Sequence, residues 1–412
     1  MTARRPPSDD ERRLARLVRA HDRWRGHEVF NLLPSENAVS PTARRYLASD
    51  LAGRYTLPGE VARDGELLDN SYTGTKHTDA IEAMGNAAAS RLFHGRFATV
   101  RPLSGHIAAL SALVPLLPPK SRLLAIAPDE GGYDGYAPGF IPALFDYTVR
   151  PLPATGPGHR VDADAAIATI RAEHPHAVVL GQSFFLFPYP LREIAEAAHA
   201  ENALVFYDAS HVLGLIAGGE FQDPLREGAD VLFGSTHKSF PGPQGGLLVT
   251  DREDLFRQID PALVWRIFDN AHWNRIAGLT QTLLELEQVG AEYARTVVAN
   301  SQALGRALTD AGVPVVAAAE GFSRSHQIHL DPGRLKVTAG VGPAALARRL
   351  ERQRLLIDLF GRVGTAEVAR LGLGPADMPR LADLLVRGGV RQERVAAEVL
   401  AWRRTFSGLR FA

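Results

Sequence analysis

The 412-residue sequence predicts an α/β fold: a mostly parallel β-sheet covered on both faces, followed by a smaller α+β domain at the C-terminal end. Two observations carry this expectation. Between about residues 98 and 235, short apolar runs alternate with helical patterns, the rhythm of β-α-β units whose strands are buried on both sides. From about 279 onward, long amphipathic patterns dominate and only weak strands interrupt them.

In chain order, residues 8–28 are charged, with Leu14, Leu17 and Val18 at helical spacing, which predicts a helix within an N-terminal arm of residues 1–50. Irregular sequence rich in Pro, Gly and Tyr fills roughly 31–75, and Asp79 to Leu92 reads as a helix. Ala98–Leu103 is strand-like and opens into the helical run Ile107–Leu116. Leu123–Ala127, Ala177–Leu180, Leu204–Tyr207 and Val231–Gly234 read as strands, with helices at Val161–Glu173 and Leu191–Ala200. These elements define a large domain, 51–278. A small domain, 279–412, is expected to hold helical patterns at Leu279–Ala311, Pro343–Arg354 and Met378–Arg404, with weak strands at Val313–Ala317 and His326–Leu330.

Composition narrows the function. Basic and acidic residues number 46 each, which argues against a nucleic-acid partner. No apolar run approaches the ~18 residues of a membrane span. The opening residues lack the apolar core of a secretory signal, so a cytoplasmic location is expected. The absence of cysteine excludes disulfides, thiolate metal sites and a cysteine nucleophile, and no metal site is expected. Only four basic residues are lysines: Lys76, Lys120, Lys238 and Lys336.

One lysine stands in a telling context. The apolar run Val205-Phe-Tyr ends in Asp208-Ala-Ser-His211, and a second run, Phe233-Gly, ends in Ser235-Thr-His237-Lys238 before a glycine-rich turn. Ligands of open α/β sheets bind at the carboxyl ends of strands, so this acid and this lysine can face one cofactor. Pyridoxal phosphate needs such a pair: an amine for its aldehyde and a carboxylate that keeps its ring nitrogen protonated. Ser104-Gly105-His106 opens a predicted helix, whose first N–H groups suit the cofactor phosphate. Arg362, in Gly361-Arg-Val-Gly, is a candidate clamp for a substrate carboxylate.

Taken together, Asn31-Leu-Leu-Pro-Ser-Glu-Asn-Ala-Val-Ser-Pro, Arg54-Tyr55, Asp208-Ala-Ser-His211, Thr236-His-Lys238, Gly242-Pro-Gln-Gly-Gly246 and Arg362-Val-Gly-Thr365 resemble the serine hydroxymethyltransferase family in order and spacing. The resemblance covers essentially the whole chain. It implies the fold-type-I pyridoxal-phosphate transferase architecture, aspartate aminotransferase-like, with a seven-stranded large-domain sheet. It also implies a homodimer with shared active sites and a small amino-acid-type substrate. By position, Lys238 resembles the lysine that joins the cofactor, Asp208 the partner of its ring nitrogen, and His211 a hydrogen-bonder to its ring oxygen. His237 precedes the lysine as in the family. Ser104, Gly105 and Ser235 match phosphate contacts, with His106 and Ser183 elsewhere along the cofactor. Tyr55 would reach the neighbouring subunit's cofactor, and Ser35, Tyr72 and Arg362 would bind the substrate carboxylate.

Four departures from the family stand out. The glutamate that folate-dependent members place two residues after the tyrosine is Leu57 here, and Glu60 and Glu66 lie at other spacings. Leucine cannot carry a proton. The long loop before the arginine is missing. The histidine that stacks on the cofactor ring aligns with Glu130, leaving open whether Tyr133 stacks instead or a carboxylate sits above the ring. The glycine-rich phosphate loop of the partner subunit is replaced by Phe268-Asp-Asn-Ala-His272-Trp-Asn.

These departures imply a lyase or transferase that has kept amino-acid binding and lost folate. The expected reaction converts an α-amino acid or an amino-acid-bearing conjugate through an external aldimine, with cleavage at Cα or Cβ. Divergent members similar to this chain work in natural-product and antibiotic biosynthesis, as transaldolases or on cysteine-conjugated lincosamide intermediates. Leu57, the short loop and the run Phe184-Phe-Leu-Phe187 lean toward the conjugate. The alternatives are a threonine- or serine-type aldolase or transaldolase, and a hydroxymethyltransferase with an unusual folate site. A non-enzymatic scaffold is the weakest reading, because Lys238, Asp208, His211 and Arg362 are all retained.

Overall fold

In a computed structural model of the chain, residues 5–57, 70–156 and 158–412 are described; Glu60 and Glu66 lie outside them. The central sheet has seven strands: β1 (Phe97–Thr99), β2 (Arg122–Ala125), β3 (Thr148–Pro151), β4 (Ala177–Leu180), β5 (Leu204–Asp208), β6 (Val231–Ser235) and β7 (Gly246–Thr250). Their order is β1-β7-β6-β5-β4-β2-β3, with β7 antiparallel to both neighbours and every other pair parallel.

Alternate side chains feed two separate cores. Val178, Leu180, Val205, Tyr207 and Leu232 enter one, and Val179, Phe206, Val231 and Phe233 enter the other. Both faces are buried, which explains why these strands read as continuous apolar runs rather than alternating ones. The second core is covered by a helix at Gly105–Leu116, whose Ala108, Ala112 and Leu113 pack on the sheet, and by another at Glu253–Ala262. Helices at Ala163–Glu173 and Leu191–Ala200 cover the first core together with a 38-residue helix, Trp273–Asp310.

That long helix crosses the expected domain boundary at 278/279. Leu279, Leu283, Leu286 and Tyr293 belong to the large core, whereas Leu304 and Leu308 belong to the C-terminal core. The C-terminal part carries a two-stranded antiparallel pair, Gln327–His329 with Arg362–Gly364, in which His329 faces Arg362. The arm is stitched onto it by Phe30–Asn31, parallel to Leu355–Leu356.

Several elements differ from expectation. The irregular stretch contains a helix, Pro41–Leu47, capped by Ser40. Val313–Ala317 contributes a single bridge, Val315 to Leu330, and no strand. The pattern at 378–404 is two helices, Met378–Leu385 and Ala396–Arg403, parted by a wide turn at Val386–Val390. Gly388 and Gly389 in that turn pack so closely on Gln353, Leu346 and Leu350 that side chains there would collide. Among the described residues, no helix is long and apolar enough to cross a membrane.

Candidate active site

The carboxyl ends of β4, β5 and β6 open on one narrow cleft between Lys238, Asp208, His211, Ser235, Gly105 and Tyr133. Gln182, Ser183, Ser210 and His106 complete its walls.

Asp208 is the last residue of β5 and is buried. Its Oδ2 accepts from the Tyr136 hydroxyl at 2.7 Å and its Oδ1 from the Ser210 N–H at 2.9 Å. Gly181 lets the neighbouring strand approach, since a Cβ there would lie 2.7 Å from the Asp208 Cβ. A buried carboxyl group needs such partners, and these two fix its orientation.

Lys238 follows β6 in a tight turn closed by Gly242 N–H to Thr236 O and by the Thr236 hydroxyl to Pro243 O. The Lys238 carbonyl accepts from Asn37 of the arm at 2.8 Å, and the Tyr293 hydroxyl donates to the next carbonyl, that of Ser239, at 2.6 Å. Burial pushes the lysine ammonium down to about 8, against the opposing pull of the Asp208 charge. About a tenth is therefore free amine at pH 7, against fewer than one in a thousand for an ordinary lysine. Burial, then the nearby lysine, holds His237 down at about 4, so its imidazole is neutral.

Ser104 caps the helix at Gly105, its hydroxyl accepting from the Ile107 N–H at 3.1 Å. The remaining N–H groups at this helix start form an anion site. A Cβ on Gly105 would sit 2.0 Å from the Ser235 hydroxyl, so the serine and the helix start share one tight cradle. The Ser210 hydroxyl accepts from the Ser235 N–H at 3.0 Å and holds this corner together.

Pyridoxal phosphate fits these residues. The buried Nδ1 atoms of His211 and His237 have no protein partner among the described residues. The cradle at Gly105 suits a phosphate, Asp208 suits a protonated pyridine nitrogen, and Lys238 suits an aldehyde.

His211 stacks on His326 with ring centroids 5.5 Å apart, and His326 Nε2 is 3.0 Å from the carbonyl of Pro34 in the arm. Tyr133 lines the cleft, its hydroxyl 3.0 Å from His106 Nδ1. Glu130 does not line it; its charge faces His159 instead. Arg362 lies beside the cleft and donates from Nη1 to the carbonyl of Ser183 at 2.8 Å. Ser35 is exposed on the arm, next to Pro34. Tyr55 and Tyr72 are also exposed and form an edge-to-face pair at 5.3 Å, with the Tyr55 hydroxyl donating to Asp269 at 3.0 Å. None of these three lines this chain's own cleft.

The run Phe184–Phe187 does not widen the pocket. Phe185 is fully buried against Tyr189 and Phe221, Phe187 lies under the Arg160 guanidinium, and only Phe184 borders the clamp, beneath Arg362. Sequence reasoning missed Tyr136, Gln182, Asn37 and His326. Asn37 and Ser210 stood within quoted motifs without a role, and the other three are brought in by loops whose course no local pattern records.

Comparison with known proteins matches residues 8–342 to the family model described as serine hydroxymethyltransferase. The chain is 35% identical to the serine hydroxymethyltransferase of Pyrobaculum aerophilum, covering 97% of this chain and 94% of that one. It is 36% identical to that of Methanopyrus kandleri, covering 98% and 95%. Among solved structures, the L-threonine transaldolase of Pseudomonas fluorescens shares the fold with a TM-score of 0.86 at 24% identity, covering 97% of this chain and 93% of that chain. Similarity over nearly the whole length fixes the ancestry: the chain belongs to the serine hydroxymethyltransferase family and is a pyridoxal-phosphate-dependent enzyme.

Proposed function

We propose that this enzyme cleaves a bond at Cα or Cβ of an α-amino acid, or of a larger conjugate with an amino-acid arm, without folate. The observation that carries the reading is Leu57, a buried apolar side chain two residues after Tyr55, where folate-dependent relatives have a proton-carrying glutamate. The short connection from Leu356 to Arg362 supports it, since no long loop stands there to hold a pterin.

Pyridoxal phosphate, when bound, supplies an aldehyde for a primary amine and a ring that draws electrons from Cα. The protein supplies the rest. Lys238, with its lowered pKa, would offer an uncharged amine to the aldehyde and, when not joined to it, could hold or move a proton. Asp208, locked by Tyr136 and Ser210, keeps a proton on the ring nitrogen. Gly105 and Ser235 receive the phosphate, and Arg362 receives the substrate carboxylate. Tyr133 offers an aromatic face at the cleft wall. In this reading the enzyme is a cytoplasmic homodimer of a natural-product pathway, with Tyr55 and Tyr72 exposed to serve the partner's site. The apolar Leu57 leans toward a cysteine-conjugated substrate.

A second reading, a threonine- or serine-type aldolase or transaldolase, is favoured by the likeness of this fold, over nearly the whole chain, to a solved L-threonine transaldolase. Incubating loaded enzyme with serine plus tetrahydrofolate, threonine plus an aldehyde, and S-substituted cysteines separates the readings. The proposal expects product from one of the last two and none that depends on folate. Folate-dependent conversion of serine to glycine at an ordinary rate would overturn it.

A further inference from the structure

We propose that Asp358 is a positioning residue that aims the Arg362 guanidinium and so decides how a substrate carboxylate is held. This rests on the reading above that Arg362 receives that carboxylate.

Asp358 sits on the loop between Leu355–Leu356 and Arg362–Gly364, and Arg362 opens the second of these strands; both side chains are nearly buried. Asp358 Oδ1 accepts the backbone N–H of Phe360 and of Arg362, each at 2.9 Å, which folds the loop around its own carboxylate. Gly361, at φ +93°, makes the reversal that a side chain would strain. Asp358 Oδ2 then accepts from Arg362 Nε at 2.5 Å. Nη1 is engaged by the Ser183 carbonyl, and the Cζ lies 4.8 Å from the centre of the Phe184 ring. Three supports thus fix the plane, the roll and one edge of the guanidinium.

Of the five N–H groups of arginine, Nε–H and one Nη1–H are committed, leaving three on the Nη1/Nη2 end. With the Nε edge blocked, only that end can offer two parallel bonds to a carboxylate. Asp358 therefore selects end-on binding. Without it the guanidinium is free to rotate about its stem, and the substrate must pay to order it again.

The test compares Asp358→Asn with Arg362→Ala and the double variant in pyridoxal-phosphate-loaded protein. Asparagine keeps an oxygen for the loop N–H groups but turns an NH2 toward Nε–H. Equilibrium titration with L-threonine and with S-methyl-L-cysteine, followed by cofactor absorbance, reads substrate binding; titration of apo-protein reads cofactor binding. Asp358→Asn is expected to weaken amino-acid binding about tenfold or more. Cofactor affinity should stay within about twofold, KM should rise far more than kcat falls, and nothing should be added in the Arg362→Ala background. Unchanged amino-acid binding in Asp358→Asn beside a large loss in Arg362→Ala overturns the inference alone. No loss in Arg362→Ala overturns the reading beneath it. Equal losses with and without Arg362, or equal losses of cofactor and amino acid, mark Asp358 as merely structural and also overturn it. Should Asp358→Asn fail to fold, Asp358→Ser retains a hydroxyl acceptor for the loop but cannot reach Arg362, and the same outcomes apply.

Discussion

Replacing Asp208 with asparagine isolates one charge. The geometry predicts a tolerated fold: the new carbonyl oxygen can still accept from the Ser210 N–H, and the new NH2 can donate to the Tyr136 hydroxyl. What disappears is the carboxylate facing the cofactor's ring nitrogen. A hydrogen bond to a charged partner contributes about 1.5–3 kcal/mol, against about 1 kcal/mol for a neutral one. If that difference of about 0.5–2 kcal/mol is felt where electrons flow into the ring, kcat should fall roughly 2- to 30-fold. The phosphate cradle at Gly105 and Ser235 is untouched, so the cofactor should still bind. Because the Asp208 charge holds the Lys238 pKa up, the variant's amine should titrate below the wild-type value of about 8. Steady-state kinetics, cofactor titration and the pH profile of aldehyde capture by apo-protein read these three quantities. Near-normal kcat would refute the assignment of Asp208 to the ring nitrogen, and loss of cofactor binding with unfolding would show a structural role instead.

Two further predictions concern the cradle and the lysine. Gly105→Ala should cost cofactor affinity about 1–3 kcal/mol, because its Cβ would fall 2.0 Å from the Ser235 hydroxyl; unchanged affinity would move the phosphate elsewhere. The lysine's lowered pKa makes apo-protein stability depend on pH. Between about 8 and the ordinary 10.5, the folded amine is neutral while the unfolded one still binds a proton. The unfolded state then holds more protons, so this contribution rises with pH across that window and is flat below it. Denaturant titrations of wild type and Lys238→Met should differ in that slope, and identical slopes would contradict the lowered pKa.

The elements that could be read from the sequence were those with enough residues to show a period. β4 and β5, the helix at Leu191–Ala200 and most of the long helix are such cases. β7 was hidden behind the glycine run after Lys238, and β3 is a short, largely exposed edge strand with little apolar signal. The two-residue pairing of Phe30–Asn31 with Leu355–Leu356 joins segments more than 300 residues apart, which no local pattern announces. The same limit applied at the site. Lys238 and Asp208 were legible because each ends an apolar strand, and the sheet delivers both to one place. Tyr136 and Asn37 arrive from irregular segments through tertiary contacts alone. Asp358 lies just ahead of the arginine motif, yet nothing in the spelling shows that its carboxylate folds back onto Arg362. The exposed Tyr55 and Tyr72 likewise read the same whether or not a second subunit receives them.

The most direct measurement is covalent mapping. Pyridoxal phosphate is added to the purified protein, the adduct is reduced with borohydride, and the tagged peptide is identified by mass spectrometry. With four lysines in the chain, the outcome is unambiguous. The tag should lie on Lys238 alone and vanish in Lys238→Ala. A tag on Lys76, Lys120 or Lys336 with Lys238 unmodified, or no stable adduct, would contradict the account at its centre.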